Sequence, residues 1–233
     1  MVKDRTDDSP VLVTGAAGAL GRSVVESFVA AGRRVVAVGR SAESLNELAA
    51  GRESVVPHAA DLTDAAAVAG LFDAVGAVPS AVVHLVGGFR HAPLAEMSDD
   101  DWRFLWTVNV ESSFLVFREA ARRFATAGGG VLVAVSSPAA LAGEAGVGGY
   151  AAAKAAVLRL VESLARETSV FGGRANAVLP GTMDTPANRR AMPDADPAGW
   201  VTTEQVAETI RWLAGHEASA VNGAAVRVPG PTL

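Results

Sequence analysis

The 233 residues carry 20 Lys and Arg against 25 Asp and Glu, a formal charge of -5, and no cysteine. That balance gives no basic footprint for nucleic acid, and the missing thiols exclude disulfides and thiolate metal sites. Half of the residues are apolar and 19% are charged, which suits a chain that buries a large core and not a disordered one.

The start, MVKDRTDDSP, lacks the apolar stretch of a signal peptide. No uninterrupted apolar run reaches the roughly 18 residues that would suggest a membrane span. A soluble, cytoplasmic protein without a membrane partner is expected, with residues 1–9 flexible and residues 10–233 forming a single domain.

The first strand is expected at PVLVT, residues 10–14, followed by Thr14-Gly-Ala-Ala-Gly-Ala-Leu-Gly21 and a helical pattern over 19–31 that Gly32 closes. A glycine-rich turn opening a helix lets backbone N–H groups and the positive helix end meet a phosphate, where side chains would block the approach. Gly15, Gly18 and Gly21 mark such a turn. Spacing excludes a P-loop: five residues separate Gly15 from Gly21, one too many, and Arg22 stands in place of the motif's lysine. The dinucleotide fingerprint is met in part, with Ala16 at its first glycine position. A tight turn without ligand is the other reading of the same residues.

The second strand, RVVAVG at 34–39, ends in Arg40-Ser41. A carboxylate there would bind the adenine ribose of NAD, whereas a guanidinium beside a hydroxyl can hold a 2′-phosphate, so NADP(H) is favoured over NAD(H). A helix over 42–50 and a third strand, ESVVPH at 53–58, follow. Asp61, in AADLTD, either caps the helix over 64–75 or accepts from the adenine amine. The fourth strand, SAVVHLV at 80–86, runs into Gly87-Gly88. Ser98-Asp-Asp-Asp101 reads as an N-cap and acidic first turn for a long helix over 99–126, in preference to a metal site.

GVLVAVS at 130–136 is the fifth strand and RANAVL at 174–179 the sixth, with a helix over 149–170 between them. From Pro180 to Trp200 no clear periodicity is present, and this stretch is a candidate cover for a substrate. A helix over 203–215 and a strand, AAVRV at 224–228, end the pattern. Seven near-continuous apolar strands alternating with helices predict an α/β fold, a doubly wound seven-stranded parallel sheet (Rossmann fold) with helices on both faces.

Tyr150, the one tyrosine, and Lys154 are four apart and share a helix face. An ammonium nearby lowers a phenol from about 10 towards working pH and makes it a tuned proton donor or acceptor. The histidines at 58, 84, 91 and 216 have no ligand spacing, so no metal is expected, and His84 is read as structural.

TGAAGALG and YAAAK together resemble the short-chain dehydrogenase/reductase superfamily in its compact single-domain form, similar to 3-oxoacyl-carrier-protein reductases. The likeness runs from Val11 to Gly230. On that resemblance Ser137, 13 residues before Tyr150, matches the family's serine, with Ser136 as the alternative in register, and Asn109 in WTVNVESSF matches its asparagine. Pro180-Gly181-Thr-Met-Asp-Thr185 looks like the family's PG motif, where backbone at Met183 and the hydroxyl of Thr185 would meet the nicotinamide carboxamide. The implied catalytic set is Asn109, Ser137, Tyr150 and Lys154. The implied cofactor-binding set is Gly15, Gly18, Ala19, Leu20, Gly21, Arg40, Ser41, Asp61, Leu62, Gly87, Tyr150, Lys154, Pro180, Gly181, Met183 and Thr185.

The family roles have Tyr150 giving a proton to a carbonyl oxygen as hydride arrives, and Ser137 bonding that oxygen. Lys154 would lower the phenol and hold the nicotinamide ribose, while Asn109 would anchor a water relaying protons to Lys154. The partner is a small-molecule carbonyl or alcohol, with Phe89, Met192 and Trp200 lining a partly apolar pocket. Association into tetramers or dimers through the long helices is implied, and Ala156, Leu160 and Leu164 offer an apolar face.

Two departures accompany the likeness. Ala19 stands where the compact branch has glycine, and Gly18 before it is expected to supply the backbone freedom. His84-Leu-Val-Gly87 replaces the family's NNAG. The 15, 18, 21 spacing suggests a sugar-nucleotide epimerase or dehydratase of the extended branch, for whose C-terminal domain this chain has no room. The altered motifs suggest a non-catalytic dinucleotide-binding sensor or scaffold, against which the intact Asn109, Ser137, Tyr150 and Lys154 set argues.

Overall fold

A computed structural model describes residues 9–231. The start expected to be flexible, residues 1–9, therefore lies, Ser9 apart, outside the described residues.

Seven strands form one sheet: β1 (Val11–Thr14), β2 (Val35–Gly39), β3 (Val55–Ala59), β4 (Ala81–His84), β5 (Val131–Val135), β6 (Arg174–Pro180) and β7 (Ala225–Val228). All pair in parallel, as expected, and their order is β3-β2-β1-β4-β5-β6-β7. Valine-rich runs suit this because β-branched side chains pack well on a pleated surface. Their apolar residues divide by strand period between two cores. Leu12, Val36, Val82 and Leu132 point into one, and Val11, Val35, Val83 and Val133 into the other.

The first core is closed by α3 (Ala65–Ala74), α5 (Ser112–Ala127) and α6 (Gly148–Ser169), the second by α1 (Ala19–Ala30), α2 (Ala42–Ala49) and α8 (Thr203–Ala214). Burial on both faces is why the inner strands show no apolar/polar alternation. The edges differ: in β3 only Val55 is buried, and in β7 Ala225 and Arg227 are exposed. Leu164 of α6 lies in the chain's own core and Leu160 packs against it, so these two residues of the apolar face are turned inward. Among the described residues, no helix is long and apolar enough to cross a membrane.

The helix expected over 99–126 is interrupted. α4 (Asp99–Trp106) passes into a π-helical turn, Thr107–Glu111, before α5. Side chains compete for the helix carbonyls at this point. Asn109 Nδ2 donates to the Leu105 carbonyl at 2.9 Å, and the hydroxyls of Ser112 and Ser113 donate to the carbonyls of Val108 and Asn109. Such back-bonding perturbs regular helix hydrogen bonding, and π-turns gather at functional sites. Ser98 does cap α4, accepting from Asp101 N–H at 3.0 Å.

The stretch from Pro180 to Trp200 is more ordered than its pattern suggests. It holds α7 (Pro186–Ala191) and a 3₁₀ turn, Pro197–Gly199, and Met183 bridges Val201. α7 spans six residues, too few to establish a 3.6-residue period.

Candidate active site

Between β1 and β4 the strand order reverses, so their outgoing connections part and open a crevice beyond the strands' C-terminal ends. The turn after β1 forms one wall. Gly15 has φ +68°, a left-handed conformation that glycine takes without strain, and a Cβ on Gly21 would collide with the carbonyl oxygens of Gly15 and Ala16. Gly18 is the N-cap of α1 at φ -70° and ψ 168°, open to any residue, so the backbone freedom expected there is used at Gly15 instead. Ala19 is exposed, while Ala16 and Leu20 are buried, leaving Leu20 only its backbone to offer a ligand. No side chain caps α1 and no acid lies in its first turn. Open amides with their positive helix end suit a pyrophosphate.

Beyond β2, Arg40 and Ser41 are exposed. Ser41 caps α2, accepting from Ser44 N–H at 3.2 Å. Asp61 does not cap α3: that place is taken by Asp64, which accepts from the N–H groups of Ala66 and Ala67. Instead Asp61 Oδ1 accepts from Thr63 N–H at 2.9 Å and its hydroxyl at 2.7 Å, because Asp61 stands three residues ahead of the cap. These bonds, and more weakly the Arg40 charge, hold its carboxyl below the usual range. Leu62 is buried, so it too has only backbone for a ligand.

At the end of β4, His84 is buried and faces Thr14, its partner in register on β1, with Nδ1 and Oγ1 2.9 Å apart. Thr14 Oγ1 also accepts from Leu85 N–H at 3.2 Å, a tie the sequence reading missed. The His84 ring stands edge-on to Phe117, and burial lowers its pKa to about 3. This is a structural histidine, as read. A Cβ on Gly87 would lie 2.8 Å from both Asn109 Oδ1 and Lys154 Nζ. Only glycine lets those two groups approach the chain so closely.

Asn109 is fully buried and its amide is committed: Oδ1 accepts from Gly88 N–H at 3.2 Å and Nδ2 donates to the Gly88 carbonyl at 3.0 Å. Ser136 donates to the Lys154 carbonyl at 2.9 Å and joins β5 to α6, while the Ser137 hydroxyl accepts from Ala139 N–H at 3.2 Å and lies near enough to Tyr150 to favour its ionised form. Lys154 Nζ donates to the Val135 carbonyl at 3.2 Å and lies 5.9 Å from the Tyr150 ring centre. Burial brings this ammonium from 10.5 to about 8.

The phenol moves opposite to the direction its spacing suggested. Burial pushes Tyr150 above 10, with the Ser137 hydroxyl acting against it, because removing a phenolate from water outweighs that help.

At the third wall, the Met183 carbonyl accepts from Asn188 Nδ2 at 2.9 Å, and Thr185 caps α7, accepting from Asn188 N–H at 3.2 Å. Gly181 N–H donates to the Val228 carbonyl, and a Cβ there would meet the Pro229 carbonyl at 2.5 Å. Met192 is exposed just past α7. Trp200 is half-buried, and its backbone is near Gly230. Phe89 stands edge-on to Tyr150 with ring centres 5.0 Å apart.

A family model described as short chain dehydrogenase matches residues 9–196. The (3R)-3-hydroxyacyl-CoA dehydrogenase of Rattus norvegicus is 33% identical over 244 residues, covering 94% of this chain and 94% of that protein. D-threitol dehydrogenase of Mycolicibacterium smegmatis is 31% identical over 242 residues, with 97% and 93% covered. Among solved structures, a 3-oxoacyl-[acyl-carrier protein] reductase with bound NAD from Brucella melitensis superposes with a TM-score of 0.87 at 28% identity, covering 97% of this chain and 91% of that one.

Proposed function

The chain belongs to the short-chain dehydrogenase/reductase family, and on that premise we propose that it transfers hydride between NADP(H) and a carbonyl or secondary alcohol. The observation that carries this reading is Tyr150 with the Lys154 ammonium 5.9 Å from its ring and the Ser137 hydroxyl near enough to favour its ionised form. A nicotinamide dinucleotide, when bound, supplies or takes up the hydride.

Tyr150 rests as a protonated phenol, since burial raises it, and its O–H donates to the substrate oxygen as negative charge develops there. Ser137 O–H donates to the same oxygen and stabilises that charge. Lys154, at about 8, is mostly charged at neutral pH and favours phenolate once the proton has left. Asn109 acts through Gly88: its two bonds hold the segment after β4 against the ammonium. Gly15, Gly18 and Gly21 clear the pyrophosphate site. Arg40 supports the preference for a 2′-phosphate, because it is exposed at the end of β2 where a ribose-binding carboxylate would otherwise stand. Assembly into a homo-oligomer belongs to the same reading.

NADPH consumption with a panel of activated ketones tests the proposal. Tyr150→Phe is expected to lower turnover by about 10²-fold or more while dinucleotide binding persists. Arg40→Ala is expected to weaken NADPH far more than NADH, and equal losses would remove the 2′-phosphate assignment. Tight NADPH binding without turnover across the panel would favour a sensor instead.

A further inference from the structure

Phe89 is 53% exposed, yet its backbone is held on both sides. Asn109 grips the N–H and carbonyl of Gly88, and Arg90 Nη1 donates to the Phe89 carbonyl at 2.9 Å. Arg90 is fixed in turn by Asp101, Nε to Oδ1 at 2.9 Å, and by the Phe104 ring, 4.0 Å below its guanidinium.

The segment beyond is seated on the glycines ahead of Tyr150. Ala92 N–H donates to the Gly146 carbonyl at 2.8 Å, and a Cβ on Gly146, Gly148 or Gly149 would strike His91, Leu94 or Met97 respectively. A polar clamp thus presents a half-exposed aromatic ring edge-on to Tyr150. Apolar side chains grouped on one part of a surface and left in water mark ligand-binding grooves. Other exposed apolar side chains share this end of the sheet. Leu94 lies beyond β4, Leu141 beyond β5 and Met192 beyond β6.

Resting on the function proposed above, we propose that Phe89 is the specificity-determining residue of the site. It selects ketones and secondary alcohols whose reacting carbon bears an apolar, preferably aryl, substituent over polyhydroxylated ones. The ring offers such a substituent an aromatic partner beside the phenol, while a hydroxylated chain would lose water there without a hydrogen bond in return.

The test compares acetophenone with dihydroxyacetone, each reduced with NADPH, in the full chain and in Phe89→Ala and Phe89→Leu. The wild type is expected to prefer acetophenone. Phe89→Ala should lower the acetophenone-to-dihydroxyacetone ratio of kcat/KM about tenfold, mainly through KM, and Phe89→Leu should restore part of it. An unchanged ratio, or an equal fall in kcat for both ketones, would overturn the assignment, the second result marking Phe89 as a support for Tyr150 alone.

If the wild type reduces neither ketone, the reductase reading is judged on the activated-ketone panel instead. Calorimetric binding of the two ketones to the protein with NADP⁺ then decides the Phe89 question. No preference for acetophenone, or a preference that survives Phe89→Ala, overturns it.

Discussion

Lys154 carries its ammonium almost wholly out of water, bonded to a single carbonyl. The unfolded chain keeps that proton up to about 10.5 and the folded chain only to about 8, so between these values the unfolded state binds more protons and stability rises with pH. Below pH 8 the full penalty is present, about 3 kcal/mol by the size of the shift. Lys154→Met, which keeps the length and drops the charge, is therefore expected to raise stability by about 1–3 kcal/mol at pH 7 and abolish turnover. Denaturant unfolding of the cofactor-free protein beside an activity assay checks both, and a less stable variant would refute the cost. The Tyr150 and Lys154 partnership was legible from their spacing. The upward direction of the phenol shift was not, because spacing reports a neighbour and burial depends on what the rest of the fold stacks above it.

At the level of the element, the turn and first helix separate glycines that the sequence presents alike. Gly21 meets backbone carbonyls at contact distances that no Cβ tolerates, whereas a Cβ on Gly18 would lie 3.2 Å from the Gly15 oxygen and its φ is ordinary. Gly21→Ala is expected to cost about 1–3 kcal/mol, as overpacking does, and to weaken NADPH binding. Gly18→Ala should cost less than about 1 kcal/mol in stability, the amount by which alanine is a poorer N-cap than glycine. Thermal melts with dinucleotide titrations distinguish the two, and equal costs would contradict the geometry. The existence of α1 and the long α4–α5 helix could be read from periodicity. The π-turn between those two could not: it arises where Asn109, Ser112 and Ser113 bond carbonyls of the preceding turn, which apolar spacing does not encode.

Across the whole molecule, the sheet and its two cores were legible because strand burial on both faces leaves continuous apolar runs, while the short α7 and the two edge strands gave weaker patterns. The join between the sheet's halves is titratable. Unfolded chain binds a proton on His84 below about 6.5 and folded chain only below about 3, so stability falls as pH drops through that window. At pH 5 the loss is about 2 kcal/mol relative to neutral pH. Melting temperature measured from pH 7 to pH 5 should fall more steeply in the wild type than in His84→Asn. Parallel slopes would show that the acid sensitivity comes from elsewhere.

The strand order also bears on synthesis. β1, β2 and β3 emerge first and pair with one another, leaving β1 as the growing edge. From there β4 adds beside β1, and β5, β6 and β7 each add beside the strand made just before, always on the same side. Assembly on the ribosome can thus proceed outward without parting strands already paired, and the surface that waits longest for a neighbour is the open edge of β1, exposed until residue 84 has left the exit tunnel.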